Sequence, residues 1–430
     1  MQSQGLPGFR DFYPDDAALR NHIFAAWRDV ASRYGFQEYD GPPLEPLELY
    51  VKKSGAEIVG QLYTFEDRGG RSVAFRPEMT PTLARMVAAR GRALKKPIRW
   101  FSLPQLMRYE RPQRGRLREH FQLNMDIIGE PGPLADAELI AAAIDITRKL
   151  GLGPTDVRAR ISDRRAVRTL VGALGLSEPQ VEIAFQYIDK IERESRETLI
   201  DGLSASAGIS SDVAQRVLAL GDIRGLDSVL EALDRVPGGD EAGEPLDRCV
   251  AALDALGMSQ YVDVDLCIVR GLAYYTGTVF ELFDAHGALR AICGGGRYDG
   301  LLAALGGPDL PAAGFGMGDV VLGELVTHAG VRPSSDVGLD VFLVAVTSED
   351  VPHVLRAARQ LRDKGLKVEY ALRQQSMAKQ LKLAASRPAK RAVVIGPDER
   401  ARGEVVVRDL GIGSEERVAM DSLMEGYQWS

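Results

Sequence analysis

Apolar positions at helical spacing predict a long first helix. Pro14, Asp15 and Asp16 form a start signal, and Gly35 ends the run. The apolar positions between them recur every three or four residues, at Leu19, Ile23, Trp27, Val30 and Tyr34. Turn-rich sequence follows at 41–48, and a mixture of strand-like and helical segments then continues to about residue 160.

Two strand-like stretches, 100–110 and 120–129, flank a polar loop rich in arginine, which is the pattern of a hairpin. From about 163 to 250 the apolar spacing becomes helical and predicts no strand, so we interpret this block as a helical insertion. Within it, the segment 236–245 contains glycine and proline and is predicted to be a loop. Strand-like sequence resumes in three segments, 265–271, 275–283 and 289–296.

After a linker candidate at 327–338, the pattern alternates regularly between strand and helix. One predicted helix ends at Gly365, and Ser376 is the predicted cap of the next. Such alternation is typical of a small α/β domain with a mainly parallel sheet. We therefore expect two domains, at 1–330 and 338–430, with the helical insertion inside the first.

Composition and charge exclude several classes of protein. Of 430 residues, 45% are hydrophobic and 26% charged, which excludes a disordered or low-complexity chain. The net charge of −7 excludes bulk positive charge as the means of binding nucleic acid, so such contact needs a local basic patch. Cys249, Cys267 and Cys293 are too few for a disulfide framework and suit a reducing compartment. No apolar run reaches the length of a membrane span, and the N-terminus resembles neither a signal nor a transit peptide. We therefore expect a cytoplasmic protein with no membrane partner.

The densest candidate chemistry is the loop between the two strand-like stretches. It holds five arginines and a single acid, Glu110, between positions 108 and 118. The arginines are Arg108, Arg111, Arg114, Arg116 and Arg118. Because the guanidinium fork matches phosphate oxygens, the loop is a candidate clamp for a polyphosphate. A solvated surface hairpin is the alternative.

Two further segments are weaker candidates taken singly. Arg270 precedes the adjacent Tyr274 and Tyr275, which on a strand would point to opposite faces, one towards a pocket and one towards the core. A strand of core aromatics is the alternative. The triple glycine at 294–296 would allow close backbone approach, or would mark a structural turn.

Glu78 and Thr80 form a small acceptor pair whose carboxylate could hold an amine. Near the C-terminus, a run without acids contains Arg373, Lys379, Lys382, Arg387, Lys390 and Arg391. Such a run is usually a solvated helix face, but it is also the best local candidate for contact with an RNA backbone. Dinucleotide-binding and P-loop patterns are absent from the sequence, and among its histidines only His120, inside the arginine cluster, is a candidate.

In their order and spacing these segments resemble the histidyl-tRNA synthetases, a family of class II aminoacyl-tRNA synthetases, over nearly the whole chain. The stretch 108–122 is similar to the family's motif 2, and 75–81 is similar to the segment that holds the amino acid. The stretches 270–281 and 293–301 are similar to its two histidine-specific motifs. The block 338–430 resembles its anticodon-binding domain.

The resemblance implies a fold and an activity. The fold is α+β, with a class II antiparallel sheet, flanking helices and the helical insertion, followed by a C-terminal α/β domain of the anticodon-binding type. The activity is the ATP-dependent conversion of L-histidine to histidyl-adenylate, with Mg²⁺ accompanying ATP, and transfer of the histidine to tRNA(His). A C2 homodimer is also implied, with motif 1 sequence around Tyr39–Tyr50 at its interface.

The resemblance also implies residue roles. Arg108 would neutralise the α-phosphate of ATP, and Arg270 would approach it from the other side, a role that other class II enzymes leave to a metal ion. Histidine would contact Glu78, Thr80, Arg108, Gln122, Asp126, Arg270, Tyr274, Tyr275 and Tyr298. ATP would contact Arg108, Glu110, Arg116, Arg118 and His120. The tRNA would contact Gln113, Arg114, Arg373, Lys379 and Lys382.

Three positions depart from the family pattern. Val321 stands where motif 3 has an arginine that packs on adenine and meets the γ-phosphate. His120 replaces the usual phenylalanine that stacks on adenine, and Ala273 replaces an acid. The same traits resemble a plant-organelle-type branch of the family. Arg297 and Arg118 are the two candidates to replace the motif 3 arginine.

A non-charging alternative is the regulatory paralogue of ATP phosphoribosyltransferase, which keeps the catalytic fold as a histidine sensor. The missing motif 3 arginine fits that role. The paralogue generally lacks the C-terminal domain and tends to lose the phosphate-handling arginines, whereas this sequence has the domain and keeps Arg108, Arg116 and Arg270. The charging enzyme is therefore the favoured interpretation.

Overall fold

The computed structural model has its first helix, α1 (Pro14–Arg33), where the apolar spacing predicts it. Gly35 follows with φ +74°, a left-handed conformation that lets the chain leave the helix. The structure describes residues 5–51, 60–91, 93–111, 115–270, 274–287, 289–334, 338–425 and 427–429. The chain divides into two compact units, Met1–Pro333 and Ser334–Ser430.

After α1, the first unit continues with short strands, three helices and a long hairpin. In chain order these elements are β1 (Gln37–Glu38), β2 (Leu44–Pro46), α2 (Glu48–Val51), β3 (Thr64–Glu66), β4 (Ser72–Phe75), α3 (Thr80–Arg90), β5 (Ile98–Ser102), β6 (Gln105–Met107), β7 (Glu119–Ile128), α4 (Pro133–Lys149) and β8 (Val157–Asp163). Strands β2, β4 and β3 form a small antiparallel sheet.

A block of helices follows β8 and precedes the remaining strands of the first unit. The helices are α5 (Arg164–Gly172), α6 (Glu178–Ile188), α7 (Arg196–Ala207), α8 (Ser211–Ala219), α9 (Leu226–Leu233) and α10 (Gly239–Ala255). The elements after them are β9 (Val262–Val264), β10 (Thr278–Asp284), β11 (Cys293–Arg297), α11 (Leu301–Ala304), β12 (Ala312–Gly318) and α12 (Asp319–His328).

The main sheet brings together strands that are far apart in the chain. Within the described residues its order is β1-β5-β7-β12-β11-β10-β8-β9, and β6 also pairs with β7. The pairs β1/β5 and β8/β9 are parallel and the other pairs are antiparallel, which confirms the predicted antiparallel class. Helix α1 packs on α4 and α12, and α4 packs on β12. The indole N–H of Trp27 on α1 points to the Met317 sulfur on β12 at 3.3 Å, so helices and sheet share one core.

Two sequence predictions in this unit are wrong. The segment 236–245 is not a loop throughout, because α10 begins at Gly239 and contains Pro245. Its two glycines permit close packing on α9: an added Cβ at Gly239 would overlap the Leu233 carbonyl, and one at Gly243 would lie 3.0 Å from Leu230 and Leu233 side chains. Residues 265–270 are not a strand either. There the Asp265 side chain accepts the backbone N–H of Cys267 at 2.9 Å and turns the chain after β9.

The predicted hairpin around the arginine-rich loop is present, but its first arm is interrupted. That arm consists of β5 and β6, which both pair with β7. Pro104 lies between them and has no backbone N–H to donate, so the ladder breaks there.

The second unit is a separate α/β domain. Its elements are β13 (Val341–Ala345), α13 (Val351–Asp363), β14 (Val368–Tyr370), α14 (Met377–Ser386), β15 (Arg391–Ile395), α15 (Pro397–Arg402), β16 (Glu404–Asp409), β17 (Glu415–Ala419) and α16 (Met420–Glu425). The sheet order is β14-β13-β15-β16-β17, parallel across the first three strands and antiparallel after β15. In both units, no described helix is long and apolar enough to cross a membrane.

Candidate functional site

Glycines on β12 create room for the polar side chains of the neighbouring strand β7 above the main sheet. Along β7, residues at every second position share one face, and this face carries His120, Gln122, Asn124 and Asp126. On the adjacent β12, a Cβ added at Gly314 would lie 2.1 Å from Asp126 Oδ1. In the same way, a Cβ added at Gly316 would lie 2.5 Å from Gln122 Nε2. The glycine pattern of β12 is therefore what makes space for the site.

The first cavity lies over these strands and has a volume of about 430 Å³. Among its lining residues are all nine that the sequence assigns to histidine, namely Glu78, Thr80, Arg108, Gln122, Asp126, Arg270, Tyr274, Tyr275 and Tyr298. They come from β7, the segment after β6, the start of α3 and the segments flanking β10 and β11. The structure therefore brings together residues from positions 78 to 298, as the sequence analysis expects.

The two adjacent tyrosines are placed differently from the prediction. Tyr274 and Tyr275 precede β10 and do not belong to a strand, so they do not alternate between opposite faces. Their ring centroids are 4.9 Å apart, and both residues line the first cavity. Tyr298 meets Tyr274 edge to face at 6.1 Å. The result is a cluster of three tyrosines on one side of the cavity.

Asp126 is the buried acid of this cavity. Its carboxylate accepts a hydrogen bond of 2.5 Å from the Tyr298 hydroxyl, and the residue is only 3% exposed. Burial raises the pKa of Asp126 to about 7, although the Tyr298 hydrogen bond acts to lower it. Near neutral pH this group can therefore either accept or donate a hydrogen bond, which suits contact with an imidazole ring.

A second cavity of about 340 Å³ adjoins the first. It shares Arg108, Arg116, Gln122, Arg270, Gly294 and Gly316 with the first cavity. The lining that belongs to it alone includes Glu110, Gly115, His120, Arg290, Val320 and Val321. The two cavities therefore form one cleft, and three arginines line both parts of it.

Arg270 occupies the junction of the two cavities. Its backbone has φ +58°, a left-handed conformation that costs an ordinary residue on the order of 1–3 kcal/mol. The guanidinium lies above Gly294 of β11, where an added Cβ would approach Nη1, and it forms an ion pair with Glu281. Burial acts to lower the pKa of Arg270, but Tyr275 and Glu281 outweigh it and raise that pKa. The group therefore stays charged.

The arginine-rich hairpin supplies the other side of the junction. Arg108 donates from Nε to the Pro77 carbonyl at 2.9 Å, and its backbone N–H donates to the Arg118 carbonyl across the hairpin. Arg116 forms an ion pair with Glu110, with a hydrogen bond of 2.6 Å from Nη2 to Oε1. Three arginines that the sequence spreads over more than 160 positions thus meet around one cleft.

His120 presents a neutral ring to the second cavity. Burial and the neighbouring charge of Arg108 lower the pKa of His120 to about 3, even though the contact with Gln122 opposes them. At physiological pH the imidazole is therefore uncharged. A neutral ring can stack on a flat ligand, as the phenylalanine that it replaces in the family pattern would.

Two arginines are not where the sequence analysis expects them. Arg118 does not line either cavity: its guanidinium lies over the Tyr109 ring at 4.5 Å and donates to the Glu110 carbonyl at 3.0 Å. Arg297 is 1% exposed and forms a buried ion pair of 2.8 Å with Asp136. Both guanidinium groups are held by protein partners away from the cleft, so neither replaces the missing motif 3 arginine in this structure.

Several lining residues escape the sequence analysis. They are Gln61, Asn124, Asp189, Arg193, Glu281 and Arg290. Asn124 could have been found from its alternation with Gln122 and Asp126 on one strand. Asp189 and Arg193 come from the helical block, and no local pattern connects that block to the cleft.

The predicted RNA-contacting residues fall into two groups. Gln113 and Arg114, like Ala273, lie outside the described residues. In the second unit, Arg373, Lys379 and Lys382 are exposed, around the start of α14. Further along the same basic run, Arg387 pairs with Glu369 at 3.2 Å and Lys390 pairs with Asp340 at 3.0 Å. Arg387 and Lys390 are exposed as well, and ion pairs engage this second half of the run.

Comparison with known proteins decides the family. Residues 8–318 match the histidyl-tRNA synthetase family, and residues 340–428 match the anticodon binding domain. The chain belongs to the histidyl-tRNA synthetase family. It is 46% identical over 422 residues to the histidine–tRNA ligase of Opitutus terrae, covering 98% of this chain and 97% of the relative.

Two further relatives agree with this family. The chloroplastic/mitochondrial histidine–tRNA ligase of Arabidopsis thaliana is 40% identical over 416 residues, which cover 97% of this chain and 85% of the relative. The crystal structure of histidyl-tRNA synthetase from Nostoc sp. PCC 7120 superposes with a TM-score of 0.82 at 26% identity and covers 99% of both chains. The plant relative supports the resemblance to a plant-organelle-type branch.

Proposed function

We propose that this chain activates L-histidine with ATP and transfers it to tRNA(His). The observation that carries the proposal is Arg270, which stands with Arg108 at the junction of the two cavities. A reaction between an amino acid in one cavity and a nucleotide in the other must occur at that junction. Two fixed positive charges there suit a phosphate whose charge is redistributed during the reaction.

In the proposed reaction the histidine carboxylate attacks the α-phosphate of ATP, forms a new phosphorus–oxygen bond and expels pyrophosphate. The terminal ribose hydroxyl of the tRNA then attacks the carbonyl carbon of the adenylate and releases AMP. Glu78 and Thr80 would hold the α-amino group of histidine. Asp126, Gln122 and the tyrosine cluster would hold its imidazole ring, because this part of the cleft combines aromatic faces with hydrogen-bonding groups.

The nucleotide would occupy the second cavity, with His120 against the adenine ring and Arg116 towards the outer phosphates. The carboxylates Glu110 and Glu281 each pair with an arginine, so we assign neither as a metal ligand. Mg²⁺ would enter as part of the substrate, bound to the ATP phosphates, whose charge it partly neutralises.

A histidine-sensing role without charging is not favoured. The anticodon binding domain match at 340–428 supplies a module that a sensor of this fold does not need. The exposed basic group of that unit, Arg373, Lys379 and Lys382, is proposed to contact the tRNA backbone. Gln113 and Arg114 of the motif 2 loop are proposed to approach its acceptor end. The expected cytoplasmic location stays a prediction.

The test of the proposal is histidine-dependent ATP–pyrophosphate exchange, with other amino acids as controls. In the Arg270→Ala variant we expect exchange to fall by about 100- to 1000-fold, because a charge that stabilises the transition state is removed. Histidine binding, followed by calorimetry, should change only a few-fold. Arg235→Ala, which removes an exposed arginine of the helical block, is the control and should exchange normally. Unchanged exchange in Arg270→Ala would contradict the assigned role.

A homodimer is the second part of the proposal. The three-stranded sheet bears an apolar face in which Leu44 opposes Phe75, and the Phe65 and Phe75 rings are 6.0 Å apart. Leu44 and Phe65 are 37% and 45% exposed, so this face would gain from cover by a second copy. It lies within and beside the expected interface segment, Tyr39–Tyr50.

Sedimentation velocity tests the dimer. We expect the wild type to sediment as a dimer and Leu44→Glu/Phe65→Glu to sediment as a folded monomer, because two buried charges would be introduced at the interface. Ile412→Glu, at an apolar residue of the second unit that is 82% exposed, should leave the dimer intact. A monomeric wild type would contradict the proposal.

A further inference from the structure

The second cavity has an apolar side chain where the family pattern has a phosphate-binding arginine. Val321 lies in the first turn of α12 and lines this cavity. A Cβ added at Gly115 would lie 3.3 Å from its Cγ2 atom, so the backbone at Gly115 passes close to the valine. Val321 thus packs near Gly115 and supplies no charge.

The two arginines named as candidates in the sequence analysis do not supply it either. The guanidinium of Arg118 is held over Tyr109, and that of Arg297 is buried against Asp136. Moving Arg297 into the cleft would leave the Asp136 carboxylate buried without its ion-pair partner, which is strongly destabilising. A replacement must come from another element.

Arg290 meets this requirement. It lies three residues before β11, its side chain is exposed, and it lines the second cavity together with Val320 and Val321. Arg108, Arg116 and Arg270 line both cavities, whereas Arg290 lines the second one alone. It therefore belongs to the part of the cleft that is not shared with the first cavity.

The charge of the second cavity is suited to a polyanion. Its lining contains four arginines, Arg108, Arg116, Arg270 and Arg290, and among the lining residues that the structure describes Glu110 is the single acid. Three of them line both cavities, and two of those three, Arg108 and Arg270, are assigned to the α-phosphate. The outer phosphates of a nucleoside triphosphate would extend from there into the unshared part, towards Arg290.

We propose that Arg290 binds the outer phosphates of ATP and supplies the positive charge that Val321 does not provide. A guanidinium can form two hydrogen bonds to phosphate oxygens at once, which a valine cannot. This inference rests on the proposed function, because it takes the second cavity as the site of ATP.

The experiment measures exchange kinetics for Arg290→Ala and Arg290→Lys. For Arg290→Ala we expect the KM for ATP and the KM for pyrophosphate to rise by about 10- to 100-fold, the range of one hydrogen bond to a charged group. The KM for histidine should stay within about twofold. Arg290→Lys should recover part of the loss, because it keeps the charge without the fork.

Inhibition by AMP identifies which part of the nucleotide is bound. AMP has no outer phosphates, so its inhibition constant should be the same in Arg290→Ala and in the wild type. An equal loss of AMP and ATP binding would overturn the assignment to the outer phosphates. Arg235→Ala serves as the surface control, and the thermal midpoint of each variant verifies folding.

An error in the Arg290 assignment and an error in the proposed function give different experimental results. If the wild type exchanges with histidine and Arg290→Ala has a wild-type KM for ATP, the role of Arg290 is wrong and the proposed function stands. If the wild type does not exchange with histidine, the proposed function is wrong and the inference falls with it. Calorimetry with ATP, on wild type and Arg290→Ala, then shows whether the second cavity binds the nucleotide at all.

Discussion

At the scale of single residues, Asp126 shows how burial and function oppose each other. The carboxylate is removed from water so that it can face a ligand in the first cavity, and burial raises its pKa to about 7. In the unfolded chain an aspartate has a pKa of about 3.9. The folded protein therefore binds this proton more tightly than the unfolded chain does. It follows that Asp126 destabilises the ligand-free fold increasingly as pH rises from about 4 to 7, and by a constant amount above that.

This linkage predicts how Asp126→Asn behaves. Because asparagine does not ionise, the thermal midpoint of the variant minus that of the wild type should grow as pH rises from 5 to 8. The comparison is made by calorimetry without ligand, and the variant should also bind histidine more weakly. Asp201→Asn, at an exposed carboxylate on α7, is the matched control. A difference between Asp126→Asn and wild type that does not vary with pH would show that the carboxylate is charged throughout.

At the scale of the elements, β11 and β12 are specialised by their glycines. Adjacent glycines of β11 face opposite sides of the sheet and have different reasons to lack a side chain. A Cβ at Gly294 would meet the Arg270 guanidinium on the cleft side. A Cβ at Gly295 would lie 2.4 Å from the backbone oxygen of Gly314 on the other side. The first glycine thus serves the site, and the second serves the packing of the fold.

Gly294→Ala is therefore expected to harm activity more than stability. The methyl group would displace the flexible end of Arg270, and a misplacement of about 1 Å at a reacting centre can lower the rate about 100-fold. Exchange kinetics and thermal unfolding are measured on the same preparation. Gly172→Ala is the control, because an added Cβ there meets nothing within 4 Å.

Gly295→Ala gives the opposite expectation within the same strand. Its methyl group would collide with backbone, which cannot rotate away, so we expect a marked fall in the thermal midpoint. Wild-type exchange in Gly294→Ala would contradict the role of that glycine. Equal unfolding behaviour of the two variants would contradict the division between the faces of β11.

At the scale of the whole molecule, the two compact units divide the proposed reaction. All residues assigned to histidine and ATP belong to Met1–Pro333, whereas the exposed basic group belongs to Ser334–Ser430. Exchange without tRNA should therefore depend on the first unit alone. Charging of tRNA should depend on both.

The double variant Arg373→Glu/Lys382→Glu tests this division. Reversing two charges should raise the KM for tRNA in the charging assay by about 10-fold or more and steepen its loss with salt, while exchange stays near normal. Arg359→Glu/Lys364→Glu changes the charge equally at exposed positions around the end of α13. That control should have a smaller effect on charging. If exchange fell as much as charging, the basic run would be structural.

Much of the fold was predictable because its signals are local. The spacing from Leu19 to Tyr34 predicts α1, and the strand–helix alternation after residue 338 predicts the second unit. Both patterns come from residues three to ten positions apart, whose relation is fixed by the geometry of a helix or strand. The order of motifs likewise determined the family, and the family carried the expected contents of the first cavity with it.

Other features depend on partners that are distant in the sequence. The segment 236–245 has the composition of a loop, yet its glycines allow most of it to pack as the start of α10 against Leu233. The composition of a segment does not show which surface of the folded protein the segment will pack against. The predicted strand at 265–271 fails over its described residues, 265–270, for a local reason instead, because the Asp265 side chain accepts the backbone N–H of Cys267 and turns the chain.

The arginines show most clearly that the sequence alone does not determine where a side chain lies in the folded protein. The sequence made the loop of five arginines a candidate clamp for a polyphosphate, with a solvated surface hairpin as the alternative, and the resemblance to the family added Arg270. The sequence did not determine which arginine goes where. Arg297 is buried because Asp136 lies beside it, 161 positions earlier in the chain, and Arg290 lines the cleft because β11 pairs with β12. Whether a charged side chain lies in the core or lines the cleft depends on the groups that surround it after folding. Only the tertiary structure brings those groups together.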